Sequence, residues 1–145
     1  REILSMDSLS SKNTTVMTAI TYGSASIRVN IPKTFQKMCE SYAEILDRAV
    51  ETRVYKVDDD ISQSTRQMAE ELGFLRAGAR DIIDIHNEAL KNKIQKKNSG
   101  EVRIFIEESR IVILQLMGNL LSFYRFHFSD NQNKQLKESA KRKTQ

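Results

Sequence analysis

The spacing of apolar residues changes along the chain, and each change predicts a different element. Between Thr15 and Ile31 the pattern leans toward alternation: Val16, Ala19, Ile20 and Tyr22, then Ile27, Val29 and Ile31 interleaved with Ser26, Arg28 and Asn30. A period of two predicts short strands, joined here near Gly23-Ser24 as an arm or hairpin. An isolated hairpin is marginal in water, so this one needs a cover. After Pro32 the spacing becomes helical, with Phe35, Met38, Cys39, Tyr42, Ile45, Leu46 and Ala49 at intervals of three and four. That predicts an amphipathic helix over about Lys33 to Tyr55, entered through the proline.

A second helix is predicted from Ile61, Thr65, Met68, Ala69, Leu72 and Leu75, with glycine as its stop near Ala77-Gly78. A third carries Ile82, Ile83, Ile85, His86, Ala89, Leu90 and Ile94 and is closed by Asn98-Ser99-Gly100. The stretch from Glu101 to Phe128 differs from all of these. It has no proline, is apolar almost all the way round, and as a helix is roughly 40 Å long. A helix apolar on every side must be covered on every side. Three shorter helices cover part of it, and a second copy of the chain is expected to cover the rest. A membrane span needs about 20 predominantly apolar residues in a row. Glu107, Glu108, Ser109 and Arg110 interrupt such a run, and Gln115, Asn119 and Arg125 recur along its second half. The expected fold is therefore all-α: an antiparallel four-helix bundle, dimeric, with an N-terminal strand-like arm or hairpin. The arm takes residues 1–32, the helical domain 33–128 and a basic polar tail 129–145. Gly118 costs about 1 kcal/mol against alanine in mid-helix and is expected to permit close helix approach.

Charge refines the picture. The net charge of +4 is carried by the tail, where Lys134, Lys137, Lys141, Arg142 and Lys143 outweigh Glu138. A second basic cluster, Lys91, Lys93, Lys96 and Lys97, falls at the end of the third predicted helix, where cations complement the dipole. Neither cluster is interleaved with aromatic residues as single-strand binding usually requires, so nucleic acid is a minor expectation. Cys39 is the single cysteine, which excludes an internal disulfide and paired-thiol motifs and points to a cytoplasmic protein. It falls on an apolar face, as a small core residue does.

Catalytic patterns are missing. His86 and His127 are the two histidines and lie on different predicted helices, without the spacing of a zinc site. His86 follows three isoleucines, as a hydrogen-bonded core or interface histidine would. Asp58, Asp59 and Asp60 lack the glycine and distal glutamate of a calcium loop and read as helix capping. Glu70-Glu71 and Glu107-Glu108 are adjacent pairs, which point to different sides of a helix. No phosphate loop or serine elbow is present, and no metal or cofactor is expected.

The segment Leu72 to Leu90, with Ile82-Ile83-Asp84-Ile85-His86 and Leu90, resembles the N-terminal domain of RsbU-type phosphatases. It is similar also to the C-terminal domain of the circadian protein KaiA. Ser122-Phe123-Tyr124-Arg125, ending a long apolar helix, extends the resemblance to about Lys33 to Phe128. The resemblance implies a homodimeric, non-catalytic domain that docks a signalling protein, a switch kinase in one case and an ATPase tail in the other. Counting from the motifs, it implies a partner surface at Asp59, Gln63, Leu114 and Gly118. Ile82, Ile85, His86, Leu116, Leu120 and Tyr124 are expected in the core and dimer contact. The chain departs from the family where an aromatic residue is expected at Gln63 and a glutamate is common at Gln115. The reading is a signalling adaptor of a bacterial phosphorylation switch or clock. The alternatives are a regulatory fragment of a metal-dependent serine/threonine phosphatase, and a nucleic-acid binder using the basic tail.

Overall fold

The computed structural model describes residues 26–144, without the side chains of residues 129–132. These residues are all-helical: α1 (Ile27–Asn30), α2 (Pro32–Tyr55), α3 (Ser62–Phe74), α4 (Ala79–Ile94) and α5 (Ser99–Lys143). The part of the expected arm before Ser26 lies outside the described residues. The strand expected over Ile27, Val29 and Ile31 is corrected: this segment is one helical turn. Ser26 caps it by accepting the Val29 N–H, and the Asp81 carboxylate of α4 accepts the Ile27 N–H at 2.9 Å. Alternation over five residues was outweighed by a cap on one side and a long-range anchor on the other, which together satisfy the Ile27 and Val29 N–H groups. Ile27 is buried while Val29 is exposed, so the apparent pairing of apolar residues on one face does not exist.

Pro32 begins α2 at a position where its missing N–H costs nothing. The helix buries Phe35, Met38, Cys39, Tyr42, Ile45, Leu46 and Ala49, the face its spacing predicts. It ends at Lys56, which takes the left-handed conformation at φ 53°. α3 ends earlier than its glycine suggests. Arg76, not Gly78, is the left-handed residue at φ 58°, and the Ala77 N–H closes the end on the Leu72 carbonyl at 3.0 Å. Gly78 instead opens α4, where the Asp81 carboxylate accepts its N–H at 2.9 Å. Asn98 caps α5 by accepting the Glu101 N–H at 2.9 Å.

The core lies where α2, α4 and α5 meet, with α3 packed along α5. Leu46, Leu72, Ile82, Ile85, Leu90 and Leu116 are shut off from solvent. Tyr42 meets His86 and, five residues on, Asp47 meets Lys93, so α2 and α4 run in the same sense. Arg53, near the end of α2, reaches Glu107 at 2.7 Å and Glu108 at 3.2 Å on α5. Surface pairs of this kind contribute about 0–1 kcal/mol, so they orient helices that apolar burial holds together. α5 continues without a break past Phe128 to Lys143. Among the described residues no helix is long and apolar enough to cross a membrane.

Candidate functional surface

Among the described residues α5 is not covered on every side. One face buries Phe105, Ser109, Val112, Ile113, Leu116 and Leu120. On the opposite face Ile111, Leu114, Gly118, Leu121, Arg125 and Phe128 recur at alternating steps of three and four and are exposed. Leu114 is 72% exposed and Leu121 70%, values far outside what large apolar side chains take in a covered helix. Between them Gly118 faces open space, for a Cβ added there meets nothing within 4 Å. A glycine that weakens the helix while no helix among the described residues approaches it leaves a notch in an apolar stripe.

The residues singled out from the sequence fall into separate groups. Ile82, Ile85, His86, Leu116 and Leu120 are buried within the chain's own core. Tyr124 is half-buried and donates its hydroxyl hydrogen to the Ala77 carbonyl at 2.6 Å, and burial raises its pKa. Leu114 and Gly118 lie on the exposed stripe. Gln63 is exposed in the first turn of α3, and the residues three and seven positions on, Arg66 and Glu70, line a cleft against Asn119 and Ser122 of α5. Asp59 is held by Arg48 at 2.6 and 2.8 Å, and Arg48 donates a further bond to Ser64. Those bonds keep the Asp59 carboxyl below its usual range. Asp59 was expected to help cap α3; its carboxylate braces the α2–α3 connection through Arg48 instead. Asp60 does the work closest to capping, since its carboxylate accepts the Ser62 N–H at 2.9 Å; hydrogen bonding to the Ser62 side chain, and then to its backbone, lowers the Asp60 pKa.

His86 is buried and shares a hydrogen bond with Tyr42. Cys39 is buried as well, and loss of hydration pushes its thiol up to about 12, so it remains protonated at neutral pH. Among the described residues no three histidine, cysteine, aspartate or glutamate side chains gather where a metal could sit.

The sequence reading missed an aromatic corner at the end of α3. Phe74, 74% exposed, meets Phe123 of α5 edge-on at 5.1 Å between ring centres. His127 lies against Phe123 at 4.0 Å and against Phe126 at 5.7 Å. Gly73 makes this possible, because a Cβ there would occupy the space of the Phe123 ring. Phe74 stands off the buried face of α3, so no apolar periodicity pointed to it. Clefts of about 450 and 910 Å³ flank the corner. No family model, no curated protein and no solved structure matches this chain.

Proposed function

We propose that the chain is a non-catalytic signalling adaptor whose four long helices form a bundle, which pairs with a second copy and docks a kinase or an ATPase. The observation that carries this reading is the exposed stripe from Ile111 to Phe128, about 25 Å long, with a notch at Gly118. Contiguous exposed apolar surface on a folded chain marks an interaction site. Parallel pairing would stack Arg125 on Arg125 and leave a gap at Gly118. Antiparallel pairing sets Leu121 of each copy into the Gly118 notch of the other and brings Ile111 to Phe128. Small residues at helix crossings and apolar side chains seated in facing holes are how packed helices interlock. The resemblance to RsbU-type and KaiA domains supports the same assignment and supplies the docking role, with Gln63 on the partner surface. Docking regulates the partner only to the extent that one of its states is bound more tightly than another.

Sedimentation equilibrium tests the pairing. The wild-type chain sediments as a dimer, and Leu114→Asp yields a folded monomer with the helical circular dichroism unchanged. Leu116→Asp, by contrast, buries an unpaired charge and unfolds the chain. A monomeric wild type at high micromolar concentration overturns the pairing. Capture of a kinase or an ATPase by the wild type but not by Gln63→Lys supports docking; equal capture by both removes Gln63 from that surface.

A further inference from the structure

Among the described residues the packed body ends while α5 goes on. Leu116, Leu120, Phe123 and His127 follow one another on the face that α5 turns inward, and the partner on that face is α3. Beyond Phe74 there is no more α3 to cover it. The same face then carries Lys134 and Lys141, at steps of seven from His127, with Lys137 one turn between them. All three lysines are exposed. The end of α3 and the projecting α5 thus make a shelf: an aromatic corner of Phe74, Phe123, Phe126 and His127, and a lysine row running away from it.

We infer that this shelf receives an acidic amphipathic segment of another protein, lying along α5 where α3 stops. One apolar side chain of the segment enters the corner, and its carboxylates meet Lys134, Lys137 and Lys141. Phe123 to Lys141 spans about 27 Å, so the segment is four to five turns if helical. Charge complementarity selects the occupant. The row from Lys134 to Lys143 holds five cations against Glu138, and a facing segment of the same sign is excluded by repulsion. Phe74 and Phe126, at 74% and 65% exposed, supply the kind of aromatic anchor point that dominates protein contacts.

Aromatic residues beside lysines also describe a single-strand nucleic-acid platform, and the ring geometry decides against it. Phe74 meets Phe123 at 77°, and Phe126 meets His127 at 76°. Rings locked edge to face wall a pit rather than present successive open faces on which bases stack. Arg66 and Glu70 both line that pit and offset one another, so its binding surface is the aromatic wall. An aliphatic or aromatic side chain fits its volume of about 450 Å³ with room to spare.

The inference rests on the docking reading, since the shelf is the far end of the cleft that Arg66 and Glu70, one and two turns on from Gln63 along α3, line against α5. A display library of random 16-residue peptides, selected on the full chain, tests it. Enriched peptides are expected to carry an apolar residue followed by carboxylates at helical spacing. Synthetic copies lose at least tenfold in affinity to Phe74→Ser and to Lys134→Glu/Lys137→Glu, two variants whose changes are confined to exposed side chains. Retained affinity in both variants, or enrichment without the acidic pattern, overturns the shelf. Tighter binding of a 20-nucleotide oligothymidine than of any selected peptide, lost in the same variants, replaces it with the nucleic-acid platform. Peptides that need Phe74 and Lys137 but ignore Gln63→Lys leave the shelf standing and remove the carried-over docking surface.

Discussion

Tyr42 and His86 join α2 to α4 through a hydrogen bond of 2.6 Å between the phenol oxygen and Nδ1, their rings set edge to face at 82°. Both are buried, and the Tyr42 hydroxyl also lies 3.4 Å from the Ser109 carbonyl of α5. Three helices therefore share one polar point inside an apolar core, and burial raises the Tyr42 pKa so that the phenol keeps its proton. Tyr42→Phe keeps the ring and removes the hydroxyl, and it should cost about 1–3 kcal/mol in urea unfolding. A loss of no more than a few tenths would mean that the bond contributes nothing net.

Two glycines on packed helices should respond in opposite directions. At Gly73 an added methyl meets the Phe123 ring, so Gly73→Ala should destabilise by about 1–3 kcal/mol. The loss should shrink in a Phe123→Ala background, which a double-mutant cycle reads directly. At Gly118 the methyl meets nothing among the described residues, so Gly118→Ala should raise the stability of the Leu114→Asp variant by about 1 kcal/mol. In the wild-type background the same change fills the notch and should weaken the proposed dimer.

The Arg48–Asp59 brace makes stability depend on acid. Hydrogen bonding to Arg48 lowers the folded-state pKa of Asp59. A depressed carboxylate pKa stabilises the fold above the unfolded value, about 3.9, and that contribution is lost as pH falls through the folded value. Asp59→Asn should therefore lower the melting temperature at pH 7, and the gap to wild type should close at more acidic pH. A gap that stays constant between pH 7 and pH 3 would show that the brace acts through shape alone.

Asp81 serves two backbone N–H groups at once, those of Ile27 and Gly78. Asp81→Ala should cost about 0.5–2 kcal/mol as a lost cap. It should also speed amide exchange at Ile27, although 54 residues separate the two in the chain. Unchanged exchange there would detach α1 from α4.

Much of this architecture was legible in the order of residues. The three- and four-residue spacing in α2 and α4 picked out the faces that are buried, because a helix can hide only one stripe and the residues on it must be apolar. The same logic put Cys39 and His86 inside. It failed where the deciding contact was made elsewhere. Ile27 to Ile31 alternates like a strand, yet the turn is set by Ser26 beside it and Asp81 on another helix. Asp59 looked like a cap and was claimed by a guanidinium eleven residues earlier. Gly78 looked like the end of α3 and is the start of α4.

By itself, the sequence determined that this chain is helical, which faces of the shorter helices turn inward, and that its longest helix is apolar almost all the way round between Glu101 and Phe128. Periodicity along one chain is enough for that. Only the tertiary structure decided which of those apolar residues remain outside. Leu116 and Leu114 are two positions apart and equally apolar, but α2, α3 and α4 pack against the side of α5 that carries Leu116 and nothing described covers Leu114. Exposure belongs to an arrangement of helices, and so do the Gly118 notch, the seat of Phe123 on Gly73 and the corner where α3 stops short of the lysines.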